Sequence, residues 1–220
     1  MNLKIKMLFL LLLFSFFGCK INEKPYWEDI QKFNKIDQQN IPMQHEILFI
    51  GSSSFTYWQD VQEYFPNHLI LNRAFGGSTL LNLIQYKNEI LNPHHPKQIV
   101  IYCGENDIAN DDKVTGETVY NRFGKLFKII KKKFPDVFVA YVSMKPSPSR
   151  WHLREKMIDG NKRIETFLKT KKNTLVINIW DKMLDEKGKP KGEIFIKDSL
   201  HMNSKGYKIW KKEIAPNLKF

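Results

Sequence analysis

Short unbroken runs of apolar residues alternate along this chain with stretches in which apolar positions recur every three or four residues. The runs are Ile47-Leu48-Phe49-Ile50, Leu69-Ile70-Leu71, Ile99 to Cys103, Val137 to Val142 and Leu175 to Ile179. None alternates cleanly with polar residues, so they predict five strands covered on both faces. Between them, Val119, Phe123, Leu126, Phe127, Ile130 and Phe134 fall on one face of a helix that Pro135 ends. Leu153, Met157, Ile164 and Leu168 mark a second helix, and Ser204 to Ile214 a third. Trp27, Ile30 and Phe33 predict a short amphipathic helix over Tyr26 to Asp37, closed off by Pro42. Strand and helix in alternation predict a parallel sheet with helices on both faces. The chain has no internal repeat, no low-complexity segment and no sign of a second domain.

In such sheets, sites gather at the C-terminal ends of the strands, and polar segments stand there. The first strand runs into Gly51-Ser52-Ser53, the second into Gly76-Gly77 and the third into Gly104-Glu105-Asn106-Asp107; Asp198-Ser199-Leu200-His201 precedes the last helix. Each has an ordinary reading. Ser53 could be a helix N-cap, Gly76-Gly77 a simple turn and Gly104 to Asp107 a polar strand-to-helix turn. Asp198 and His201 could be an acidic cap followed by a surface histidine. Read together they form a set of parts for nucleophilic acyl chemistry. Ser53 supplies a hydroxyl, and His201 a base that Asp198 orients. A glycine N–H and the Asn106 side-chain N–H₂ can face a developing oxyanion. The Ser53 segment is not the G-x-S-x-G elbow of α/β-hydrolases, since no glycine stands two residues after it.

The 220 residues allow one sizeable core, and 42% hydrophobic with 26% charged residues is ordinary for a globular chain. The formal net charge is +12. The lysines are scattered, and the densest cluster, Lys131-Lys132-Lys133, ends a predicted helix, where the dipole favours cations. A solvated basic surface is therefore the reading, and a nucleic-acid partner is not expected. Lys4 and Lys6, then the apolar stretch Met7 to Phe17 and Gly18-Cys19, resemble a bacterial lipoprotein signal cut before a lipid-bearing cysteine. Phe16 departs from the usual leucine; an ordinary secretory signal or an uncut anchor is the alternative. The reading assigns 1–18 to the signal, 19–42 to a tether with a short helix, and 43–220 to the catalytic domain. It predicts an exported protein held at the cell envelope, periplasmic or on the cell surface, through Cys19. Cys103, the other cysteine, then has no partner and reads as a small buried hydrophobe.

Other residues carry weaker readings. Arg73, beside the Gly76-Gly77 segment, could line the site. Arg150 could bind a polar substrate group, but a solvated loop is the preferred reading. Tyr57 and Trp58 read as core rather than as a sugar platform. His94-His95 lacks the accompanying carboxylates or cysteines of a metal site, so a loop is expected.

Taken together, ILFIGSSSF (residues 47–55), LNRAFGGSTL with Gly77, IYCGENDIA with Asn106, and DSLHMNSKGY resemble the four blocks of the SGNH, or GDSL, hydrolase superfamily. The resemblance spans nearly all of the chain after the signal. It implies a three-layer α/β/α, flavodoxin-like fold with a five-stranded parallel sheet. It implies a serine esterase with Ser53 as nucleophile, Asp198 and His201 completing the triad, and Ser53 N–H, Gly77 N–H and Asn106 as oxyanion donors. No metal or organic cofactor is expected. Ser52 stands where the family usually has aspartate, and Ser78 where many members do. The expected substrate is an ester, an acetylated glycan ahead of a lysophospholipid or other lipid ester. A non-catalytic glycan-binding protein on the same scaffold is the rival from another class.

Overall fold

The computed structural model describes residues 24–40, 44–92 and 94–219; the expected signal and Cys19 lie outside them. The strands are β1 (Ile47–Gly51), β2 (Ile70–Asn72), β3 (Gln98–Tyr102), β4 (Phe138–Val142) and β5 (Thr174–Ile177). The helices are α1 (Trp27–Gln39), α2 (Ser53–Thr56), α3 (Val61–Tyr64), α4 (Leu80–Gln85), α5 (Lys87–Leu91), α6 (Glu105–Ala109), α7 (Gly116–Lys133), α8 (Arg154–Lys169) and α9 (Ser204–Ile214).

All five strands are parallel, in the order β2-β1-β3-β4-β5. Successive side chains of a strand point to opposite faces, and here each face has its own apolar layer. Leu48, Ile50, Ile99, Ile101, Val139 and Tyr141 join a cluster that includes Ile30 of α1, Leu83 of α4, Phe123 and Ile130 of α7, and Ile164 of α8. Ile47, Phe49, Val100, Tyr102, Ala140 and Val142 join Phe55, Trp58, Tyr207 and Trp210 on the other side. The result is the three-layer architecture that the alternation predicts. The central strands β1 and β3 are buried throughout. The edge strands β2 and β5 keep part-exposed positions, so the expectation of full two-faced cover fails at the rims of the sheet.

Local signals explain where the helices begin. Thr115 caps α7 reciprocally with Thr118, and Thr79 caps α4 with Asn82. The three lysines at 131–133 fall in the last turn of α7, and Lys131 donates to the carbonyls of Pro135 and Val137. Helix α1 is part of the folded body. Ile30 is fully buried in the core, Trp27 stacks on Tyr86, and Asp37 pairs with Arg73. Cys103 is buried, as the sequence suggested. No helix among the described residues is long and apolar enough to cross a membrane.

Candidate active site

The sheet order places β1 beside β3, and the chain leaves these two strands toward opposite flanks. The crevice outside their C-terminal ends is the switch point where ligands of such folds bind. Gly51 ends β1 there with φ +149, and a Cβ on it would lie 2.0 Å from the Tyr102 carbonyl oxygen of β3. Only glycine fits so close to the neighbouring backbone. The next residues turn into the single-turn α2, with Ser52 at the cap and Ser53 as the first helical residue. Ser52 makes no side-chain cap bond. Ser53 is thereby held half-buried at the mouth of the crevice.

His201 reaches Ser53 from 148 positions away, its Nε2 standing 2.9 Å from the Ser53 Oγ. Its Nδ1 lies 2.6 Å from Asp198 Oδ2. A carboxylate only accepts, so Nδ1 carries the proton and Nε2 is left to accept from the Ser53 hydroxyl. A tight loop makes the three-residue spacing work. Asp198 Oδ1 accepts from the backbone N–H groups of Leu200 and His201 at 2.9 Å each, and Ser199 takes a left-handed φ of +57 to close the turn. Burial pushes the Asp198 carboxyl up, but the hydrogen bonds from the His201 ring and from these two backbone groups outweigh it and bring the pKa down to about 2. An imidazole fixed in this way can take the proton of the hydroxyl it faces.

The groups expected to face an oxyanion converge on the same crevice. Phe75 to Ser78 forms a turn closed by Ser78 N–H donating to the Phe75 carbonyl at 3.4 Å, with Gly77 at φ +78. This is the position of a type II turn that favours glycine. Ser78 pins the turn inward through Oγ, which donates to the Gly51 carbonyl at 2.9 Å. Asn106 is buried at the start of α6, and its Nδ2 donates one hydrogen to the Ser78 carbonyl at 3.0 Å, leaving the second N–H without a partner among the described residues. Among the described residues, neither Ser53 N–H nor Gly77 N–H donates to a protein acceptor. Asp107 faces away from this point. It accepts from Leu80 N–H and from Arg122, at 2.9 and 2.8 Å, and ties α4 to α7.

Several weaker expectations are corrected. Arg73 does not line the site. It is buried against Asp37 and His94, over the Phe33 ring, and fastens α1 to the body. His94 lies in the loop before β3, as expected, but is buried in that same cluster, and the described residues hold no metal-binding group of side chains. Arg150 is not a solvated loop residue either. Its Nη1 lies 2.9 Å from Glu105 Oε1, and the buried Lys145 lies 3.0 Å from Oε2. The Tyr102 hydroxyl also donates to Oε2. Burial raises the Glu105 carboxyl; the Lys145 and Arg150 cations outweigh that and lower it. This buried ionic cluster abuts Asn106, and nothing in the spacing of positions 105, 145 and 150 announces it. Trp58 is core, fully buried and stacked on Tyr207. Tyr57, read as core from the sequence, is 57% exposed, with its ring 4.5 Å from that of His201. Its place four residues after Ser53, one helical turn on, is the signal that could have put it there.

The hydrogen-bond chain from Ser53 through His201 to Asp198 and the N–H groups beside it thus meet at the switch point of an α/β/α frame. A model of the GDSL-like lipase/acylhydrolase family matches residues 51–209, and the chain belongs to that family, whose members are carboxylic ester hydrolases. No curated protein sequence matches the chain. Among solved structures, a Streptococcus pneumonia protein described in terms of platelet activating factor has a TM-score of 0.78 at 21% identity, covering 88% of this chain and 92% of its own. A GDSL-like lipase from Bacteroides thetaiotaomicron has a TM-score of 0.71 at 19% identity, covering 86% and 96%. A carbohydrate esterase of family 3 from Talaromyces cellulolyticus has a TM-score of 0.62 at 13% identity, covering 79% and 95%. At these identities the likeness speaks to the fold.

Proposed function

We propose that this protein is a serine esterase that removes short acyl groups, acetyl above all, from a glycan, and that it works at the cell envelope on a lipid anchor at Cys19. The observation that carries the catalytic reading is the unbroken chain from Ser53 Oγ through His201 to Asp198, with links of 2.9 and 2.6 Å. Ser53 Oγ attacks the ester carbonyl carbon while its proton passes to His201 Nε2. The carbonyl oxygen, now an oxyanion, faces the N–H groups of Ser53, Gly77 and Asn106. His201 returns the proton to the leaving alkoxide as the C–O bond breaks, which leaves the acyl group on Ser53. Water then attacks the acyl carbon as His201 takes its proton, and His201 returns that proton to Ser53 Oγ as the Oγ–C bond breaks, freeing the acid and the serine. Asp198 stabilises the imidazolium in both halves. No step needs a metal or an organic cofactor.

The substrate class draws support from two relatives in fold, the carbohydrate esterase and an acetyl esterase whose structure holds an acetate ion. One observation favours a lipid ester instead: the exposed Tyr57 and Ile196 give the surroundings of His201 apolar surface. Hydrolysis of 4-nitrophenyl acetate, butyrate and octanoate separates the two. The acetyl reading predicts a steep fall after acetate, and a lipid esterase gives the reverse order. Ser53→Ala is expected to abolish all three activities, and full activity in that variant contradicts the serine mechanism. Cys19→Ser is expected to move the protein from the membrane fraction to the soluble one; an unchanged distribution contradicts the anchor.

A further inference from the structure

The turn that carries Gly77 is held firmly on its inner side by Ser78, but its outer side is two consecutive glycines with little to stiffen them. The outer contact comes from far away in sequence. Among the described residues, a Cβ placed on Gly77 would meet only Tyr26 within 4 Å, at 3.6 Å from its ring edge and its hydroxyl. The Tyr26 hydroxyl donates to the Gly77 carbonyl oxygen at 3.0 Å across 51 positions. Its ring packs on Phe75, the first residue of the turn, at 5.3 Å.

Tyr26 is built to make this contact. It takes φ +66 and ψ 10, a left-handed backbone uncommon for a bulky residue. Both neighbours fasten it in that state. The buried Tyr86 donates its hydroxyl to the Pro25 carbonyl, and Trp27 stacks on the same Tyr86 ring. The Tyr26 carbonyl accepts from Ile30 N–H at 3.1 Å, and Ile30 is locked into the core. A strained conformation clamped on both sides, aimed at one carbonyl of a catalytic turn, is the pattern of a device that orients a functional group.

We infer that Tyr26 is a positioning residue for the oxyanion turn. By anchoring the Gly77 carbonyl it fixes the rotation of the two-glycine turn, and so the direction in which Gly77 N–H meets the oxyanion. The inference rests on the proposed serine esterase and assigns part of its preorganisation to the segment before the family-matched span of 51–209. Tyr26 touches no reacting atom in this account.

The test is Tyr26→Phe in the full chain, which removes one exposed oxygen and keeps the ring on Phe75. On 4-nitrophenyl acetate, kcat is expected to fall about 3- to 10-fold, the size of one neutral hydrogen bond, with KM held within about 2-fold. The inhibition constant of phenylboronic acid, whose tetrahedral adduct with Ser53 directs an oxygen at the same donors, is expected to rise by the same factor. A purely structural tyrosine would lower the melting temperature and leave both quantities alone. The inference is overturned if kcat and the inhibition constant both stay within about 2-fold of wild type. Asn106→Ala and Ser53→Ala run alongside. If Asn106→Ala loses about 10²–10³ in kcat while Tyr26→Phe matches wild type, only the role of Tyr26 falls. If Ser53→Ala keeps its activity, the esterase reading falls and this inference with it.

Discussion

At the scale of single residues, the most telling is Asp198, because its environment does two things with one carboxylate. One oxygen holds the His201 ring, and the other is fastened by two backbone N–H groups three positions apart or fewer. These bonds keep the carboxyl ionised down to about pH 2 in the folded protein, against roughly 3.9 for an aspartate in an unfolded chain. A folded-state pKa below the unfolded one means that the ionised form favours folding. The contribution is complete above about pH 4 and is lost as pH falls through 2. Urea unfolding between pH 5 and 2 is therefore expected to show wild type losing stability with acid more steeply than Asp198→Asn. Parallel slopes in the two proteins would contradict this account of the loop. The residue pair itself was legible in the sequence, since an aspartate three positions before a histidine can share a side of a short loop. The left-handed Ser199 that lets the loop close was not, because serine at that position fits many turns equally well.

At the scale of elements, the strong signals were those that one element decides alone. The continuous runs gave the strands to within a residue or two, and the heptad-like stripe of α7 gave both its face and its end. Helices of one turn, such as α2 and α3, have too few residues to show a period and exist because tertiary contacts hold them. The ionic cluster under the site belongs to no single element. Glu105 comes from α6, Lys145 from the segment after β4 and Arg150 from the turn before α8, and only the closed sheet brings them together. Asn161 of α8 holds that segment by bonding both the N–H and the carbonyl of Met144, at 2.8 and 3.0 Å. Glu105→Ala leaves the buried Lys145 without its acid, and losing one partner of a buried pair costs about 3–5 kcal/mol. A drop of that order in the urea unfolding free energy is expected. A change below about 1 kcal/mol would contradict the view that Glu105 neutralises these cations.

At the scale of the molecule, the fold decides where chemistry is possible. A parallel sheet in the order β2-β1-β3-β4-β5 sends the chain out on opposite flanks after β1 and β3, and the crevice so opened receives Ser53 from one strand and Asn106 from the other. The sequence made the parts and their order visible. It could not show the strand order, which depends on which edges meet. Nor could it show that the segment before β1 folds onto the Gly76-Gly77 turn through Tyr26 while Arg73 secures its far end. The central claim is that this assembly makes one serine among many a nucleophile. Intact-protein and peptide mass spectrometry after brief treatment with a fluorophosphonate tests it most directly. The account predicts a single adduct, on Ser53, that His201→Ala fails to form in the same time. Labelling spread over several serines, or labelling of Ser53 that does not depend on His201, would contradict it.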